Sequence, residues 1–305
     1  MSDAMYVFDR RLVRRRRDRA APGWAGHAFL FEEVADRLAD RLLDVNRGFP
    51  SALDLGSHGG EMARRILGVK GVERVVCADL SPALAARVPR LPAVTVVAAD
   101  EEALPFADDS FDLVVSNLSL HWVNDLPGAL VQVCRALRPD GFFLGAMLGG
   151  ETLFELRRAL MEAELELKGG LSPRISPFAE VKDAGGLLQR AGFALPVVDS
   201  DTITVSYKDP FALMRDLRAM GETNAVLDRP RTPAGRELLF RAAQRYVELF
   251  AEPDGRVPAT FQVLYLAGWA PHESQQKPAR RGSAAHRLAE ALGTREWSAG
   301  DKAGG

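Results

Sequence analysis

The segment Leu53-Asp54-Leu55-Gly56-Ser57-His58-Gly59-Gly60 constrains this chain more than any other. A short apolar run follows Pro50 and leads into it, and a helical pattern begins at Glu61. Strand, glycine turn and helix, in that order, set backbone N–H groups and a helix start at the carboxyl edge of a parallel sheet, where open α/β folds take their ligands. The glycine spacing excludes two ligand classes. A dinucleotide fingerprint starting at Gly56 needs glycine at 58 and 61, where the chain has His58 and Glu61, and no Gly-Lys-Ser/Thr phosphate loop is present. What remains is an acid at a strand end, Asp54, then Gly56 and Gly60, with His58 between them.

The pattern around this segment repeats strand and helix. Residues 28–44 carry Phe31, Val34, Ala35, Leu38 and Leu42 at helical spacing. Strands are expected at 52–55, 74–78, 94–98, 111–115 and 142–147, with helices at 61–67, after Ser81-Pro82 and after Asp125. Alternation of this kind argues for a parallel, doubly wound sheet. After Gly150 the pattern changes to helices at 151–167 and 179–191, a strand at 197–205, helices opened by Asp209-Pro210 and Thr232-Pro233, and a last strand at 261–269. We divide the chain into a basic arm 1–27, a core 28–149, a helical insertion with the last strands at 150–270, and a polar tail 273–305. The segments 151–191 and 208–258 are expected to cover the crevice at the strand ends.

A net charge of −2 gives no global field for nucleic acid. Cys77 and Cys134 sit in apolar patterns and read as small hydrophobes, not as a disulfide framework. No apolar run reaches transmembrane length. The arginine-rich start also holds Asp3, Asp9 and Asp18 and lacks an apolar stretch, so we expect a cytoplasmic protein without a cleaved leader.

Three acids fall where successive strands end: Asp54, Asp79 and Asp100, the last followed by Glu101. Asp79 stands at the offset from the glycine turn at which a carboxylate meets ribose hydroxyls, and Asp100-Glu101 suits an adenine edge. The plainer reading is that such acids cap the next helix. Asp-x-Gly-x-x-x-Gly is also the loop of S-adenosylmethionine (SAM) sites with its middle glycine replaced by His58. That residue either reshapes the pocket or points outward. Asn117, Ser119, His121 and Trp122 follow the fourth strand and face the same crevice. His121 suits a general base and Trp122 an apolar wall or a cation–π surface, although a packed aromatic corner explains both. Arg10, Arg11, Arg14 to Arg17 and Arg19 read as a grip for an acidic partner or a cofactor carboxylate, or as a solvated helix face. His272-Glu273 lacks the partners of a metal motif, and no metal is expected.

The stretches Asp100-Glu101-Glu102, Leu104-Pro105-Phe106, Phe111 to Ser116 and Ser119 to Pro127 resemble class I SAM methyltransferases of the quinone and biotin pathways. Outside that core lie Phe8-Asp9-Arg10, Gly150 to Arg157, Gly169-Gly170-x-Ser172-Pro173 with Ile175 to Phe178, Met220-Gly221-Glu222-Thr223-Asn224, Val257 to Thr260, and Gly268-Trp269 through His272 to Ala284. Together they are similar to the family of mitochondrial complex I assembly factor 5. The resemblance implies a bacterial relative with a Rossmann-like class I SAM methyltransferase fold: a seven-stranded, mostly parallel sheet with a helical insertion. It implies SAM held by Asp54, Gly56, His58, Gly60, Asp79, Leu80, Asp100, Glu101 and Asn117, and substrate at Trp122 and Glu222. The implied activity is hydroxylation of an arginine on a complex I core subunit, with no nucleic acid and with membrane association only peripheral, through the complex. An O-methyltransferase acting on a small molecule or a carrier-bound malonyl group is the alternative, and a non-catalytic assembly chaperone the second.

Overall fold

The computed structural model describes residues 6–276 and 293–294. Asp9 accepts the N–H of Leu12 and starts helix α1, Arg10–Ala20, and α2 follows at Phe29–Leu43. The central alternation runs β1 Ser51–Leu55, α3 Glu61–Ile66, β2 Arg74–Asp79, α4 Pro82–Ala85, β3 Val94–Ala98, β4 Phe111–Asn117, α5 Leu126–Ala136 and β5 Leu137–Leu148. It continues with α6 Phe154–Lys168, α7 Val181–Arg190, β6 Ala194–Tyr207, α8 Pro210–Ala219, α9 Arg236–Phe250 and β7 Val257–Trp269.

The strands form one seven-stranded sheet, as the resemblance implied, in the order β3-β2-β1-β4-β5-β7-β6. The first five are parallel; β7 runs antiparallel between β5 and β6. The chain reverses its order between β1 and β4, so the crevice lies above the carboxyl ends of β1, β2 and β4. Strand β1 is buried at every residue, as a strand covered by helices on both faces must be. Phe31, Val34, Leu38 and Leu42 of α2 pack into one core on one side of the sheet, and Leu130 and Val133 of α5 into another on the opposite side.

Helix α9 starts at Arg236, capped by Gly235, three residues later than Pro233 suggested. Its stripe of Leu238, Ala242 and Tyr246 sets the start through burial, where the Thr-Pro pair indicated only a turn. Contacts divide the chain at Pro271, and residues from His272 onward form a second unit. Most of the expected polar tail, and the Arg281-Gly282-Ser283-Ala284 motif, lie outside the described residues.

Candidate active site

Residues 10, 13, 17 and 20 of α1 are spaced to share one helix face, and that face is Arg10, Val13, Arg17 and Ala20. It turns toward the strand-end acids. Arg17 is 1% exposed, with Nη1 at 3.3 Å from Glu101 Oε1 and 3.6 Å from Asp79 Oδ2, while Nη2 donates to Ser119 Oγ at 3.0 Å. Arg10 bonds to Asp100 Oδ1 at 2.6 Å, to Glu101 Oε2, and to the Trp122 carbonyl at 3.3 Å. The basic arm is therefore no solvated face on this side. Two of its cations neutralise a buried acidic cluster, the arrangement that lets charges persist away from water.

The acids respond to this company. Burial pushes Glu101 up, but Arg10, Arg17 and the Ser119 hydroxyl outweigh it and hold the carboxyl down at about 2. For Asp79 burial outweighs Arg17, and its affinity for a proton is raised. Its two oxygens also accept the backbone N–H groups of Ser81 at 2.7 Å and His58 at 3.0 Å. Asp54 lies deeper. Its Oδ2 takes the Ala63 N–H at 3.1 Å, the capping role weighed above, and burial followed by the nearby Glu61 lifts it to about 8.

His58 does not point outward. It is 1% exposed, with φ of 48°, in the left-handed region that glycine enters more easily. Its ring stacks on Trp24 at 5.4 Å, meets Phe31 edge-on at 4.6 Å, and donates from Nε2 to the Asn117 carbonyl at 3.1 Å. Burial first, and the charge of Arg17 second, lower its pKa to about 3, so the imidazole is neutral at pH 7. Trp24 Nε1 donates to Glu61 Oε1, and Asn117 Nδ2 to the Phe31 carbonyl. Leu118, at φ 49°, makes the strained turn after β4 that brings Ser119 over Gly56, so closely that a methyl group on Gly56 would overlap Ser119 Cβ and Oγ. Leu80 packs against a small cluster of Phe8, Val13 and Trp122.

Ser119 and Glu101 lie against Gly56, Arg17 pairs with Asp79 and Glu101, and Trp24 stacks on His58. Helix α1 lies against the strand-end acids through Arg10 and Arg17, and Arg87 binds the carbonyls of Ala21 and Pro22 in the turn 21–26.

The later segments build a different space. A cavity of about 720 Å³ lies on the other side of α1, with Leu12, Arg15 and Arg16 in its wall. Leu148, Leu153, Leu156, Leu160, Phe178, Leu217 and Phe261 give it an apolar floor. Glu222 and Trp122, the two residues expected at a substrate, line it too. His121 Nε2 and Trp122 Nε1 both donate to Glu222 Oε2, at 3.0 and 2.9 Å. Burial raises the Glu222 carboxyl, but the bond and charge of His121 outweigh it and lower its pKa. Glu222 Oε1 is buried and has no hydrogen-bond partner among the described residues, and neither has His121 Nδ1. Asn224 joins the two outer motifs, donating to the Pro173 carbonyl at 2.6 Å and accepting from Ser176 at 3.4 Å.

Sequence reasoning singled out Arg15 and Arg16 of this cavity's rim but missed Arg174, Arg229 and Arg231. Arg15, Arg16, Arg174, Arg229 and Arg231 stand around it with Asp9 and Glu222 as the acids. Arg174 pairs with Glu164, and Arg229 with Asp9 at 3.5 Å, whereas Arg15, Arg16 and Arg231 have no ion pair among the described residues. Burial, with Arg229 and Arg19 nearby, lowers Arg16 to about 10. Among the described residues, no group of three His, Cys, Asp or Glu side chains is placed to hold a metal ion.

A reversed strand order, a glycine turn at the switch point and acids at three strand ends define a methyltransferase-fold protein. A methyltransferase domain matches residues 53–145. A Bacillus halodurans methyltransferase superposes with a TM-score of 0.55 at 16% identity, over 78% of this chain and 99% of its own. Phosphoethanolamine N-methyltransferase 2 of Haemonchus contortus, solved with S-adenosylhomocysteine, gives 0.55 at 16% identity, over 85% of this chain and 60% of its own. Sequence relatives are much nearer. Mitochondrial arginine-hydroxylase NDUFAF5 of Danio rerio is 48% identical over 92% of this chain and 88% of its own length, and that of Homo sapiens 49% over 91% and 81%. Malonyl-[acyl-carrier protein] O-methyltransferase of Halorhodospira halophila is 41% identical over 86% and 88%. The chain belongs to the family of the arginine-hydroxylase NDUFAF5, an enzyme family with the SAM-dependent methyltransferase fold.

Proposed function

We propose that this chain binds an arginine side chain of a protein and takes part in its hydroxylation, the target being a core subunit of respiratory complex I. The observation that carries the reading is Glu222, a residue of the cavity wall whose carboxylate the bond from His121 helps to keep ionised and whose buried Oε1 has no hydrogen-bond partner among the described residues. A guanidinium N–H is the donor such an oxygen suits, because the bond is charge-assisted and satisfies a buried acceptor. In this reading Glu222 and Trp122 hold the arginine, the indole offering a face to the cation. His121 fixes Glu222 and has Nδ1 left to exchange a proton. Hydroxylation inserts one oxygen atom into a C–H bond of that side chain, a two-electron oxidation that takes an oxygen-donating oxidant as co-substrate. SAM is the cofactor the fold implies. Asp54, Gly56, His58, Gly60, Asp79, Leu80, Asp100, Glu101 and Asn117 are the residues that would hold it once α1 withdraws. We also keep the division into arm, core and insertion, and place the protein in the cytoplasm, at the membrane surface where the complex assembles. No described helix is long and apolar enough to cross a membrane.

The second reading has its own observation. Unpaired arginines at the rim suit a free carboxylate, as on a carrier-bound malonyl group. Mass spectrometry of complex I subunits from a strain lacking this gene separates the two. Loss of one oxygen from a subunit arginine supports the first; unchanged subunits, with labelled methyl groups appearing on a carrier-bound acid only in the parent strain, support the second.

A further inference from the structure

Helix α1 has two working faces. Arg10 and Arg17 hold Asp100, Glu101 and Asp79 on one side, and Leu12, Arg15 and Arg16 form part of the cavity wall on the other. Arg16 also binds the carbonyls of Thr223 and Asn224, each at 2.5 Å, directly after Glu222. We infer that α1 is a latch between the two sites: an adenosyl ligand enters the crevice only by displacing Arg10 and Arg17 from the strand-end acids, and that displacement moves a wall of the Glu222 cavity. The inference rests on the cofactor assignment above and not on the arginine-substrate reading.

The geometry leaves little choice. Asp79 and Glu101 are fully buried with the guanidinium of Arg17 against both, so a ligand's hydroxyls reach them only once that cover has moved. The adenine-side acids are shared between Arg10 and Arg17 in the same way. Both arginines sit on one rigid helix two turns apart, so they leave together. The helix is tied at each end to points outside the crevice. Asn124 Oδ1 accepts from Val7 and Phe8, Asp9 N–H donates to the Ala225 carbonyl, and Arg87 donates to the carbonyls of Ala21 and Pro22. Such ties allow a hinged swing without loss of the arm. A ligand that binds only the displaced state shifts the population toward it.

The test uses the full chain with S-adenosylhomocysteine as probe. Hydrogen exchange of residues 10–20 should rise at least tenfold on saturation, and calorimetry should show Arg17→Met binding the probe at least tenfold more tightly than wild type. Should Arg17→Met fail to fold, the exchange measurement on wild type decides alone. Probe binding that leaves exchange in α1 unchanged or slower overturns the latch and spares the cofactor assignment. Absence of binding to both proteins removes the cofactor assignment and the latch with it. Either result leaves the subunit mass analysis, and so the arginine reading, untouched.

Discussion

The crevice at the strand ends and the cavity beside Glu222 lie on two sides of one helix and have opposite electrostatic designs. In the crevice nearly every charge is matched: Arg10 and Arg17 meet Asp79, Asp100 and Glu101, and the surrounding side chains are buried. In the cavity charges are left over: Glu222 Oε1 lacks a donor, and Arg15, Arg16 and Arg231 lack a carboxylate partner among the described residues. A matched buried network confers order and resists a ligand; unmatched groups around a void are what a ligand satisfies. The crevice at the strand ends is thus, in this conformation, the more structural of the two sites.

The contrast breaks most easily at Arg17. Arg17→Ala leaves Asp79 and Glu101 buried without their cation and should destabilise the protein by about 3–5 kcal/mol. Urea denaturation measures this, and a loss below about 1 kcal/mol would show that the crevice charges are not coupled as described.

A smaller effect comes from Asp54. Its carboxyl has a pKa of about 8 when folded against an ordinary 3.8, so the folded state holds the extra proton. That contribution is full below 3.8 and is lost as pH rises toward 8. His58 works the other way, its contribution present above 6.5 and lost as pH falls toward 3. The two oppose each other at mildly acid pH. Between pH 6.5 and 8 the Asp54 slope, at most about 1.4 kcal/mol per pH unit, stands without His58. Asp54→Asn, which can still accept from Ala63, should remove that slope in thermal denaturation followed against pH. An identical slope in the variant would place the raised proton affinity elsewhere.

The smallest effect sharpens the other side of the comparison. Arg231 is exposed and has no ion pair among the described residues, so Arg231→Ala should change stability by less than about 0.5 kcal/mol. A larger loss in the same denaturation experiment would mean that the rim is structural too.

Local pattern carried the sheet: β1, β2 and β4 are short, mostly buried runs, and β6 shows the alternation of an edge strand. Asp54, Gly56, Asp79 and Asp100 were legible because they end strands. What they touch was not. Glu101 meets Arg17 across 84 residues, a pairing that no periodicity encodes. Half of that signal was nevertheless present. Arg10, Val13, Arg17 and Ala20 share one helical face, and apolar residues interleaved with arginines on the same face mark it as buried. His58 misled for a related reason. In sequence it reads as a glycine replaced. In the fold its ring has aromatic neighbours from Trp24 and Phe31, so His58→Gly would empty a packed space as well as relieve the backbone. The Glu222 cavity was foreshadowed only by motifs far apart in the chain, which Asn224 joins through Pro173 and Ser176.

The most direct measurement returns Glu222→Gln to a strain lacking this gene and reads the mass of the complex I subunit arginines. Gln keeps the size of Glu222 and an acceptor for Trp122 but loses the carboxylate that a guanidinium needs. The expected result is a variant that accumulates like wild type and leaves the target arginine without its added oxygen. Full hydroxylation by Glu222→Gln would contradict the assignment of this cavity as the arginine site.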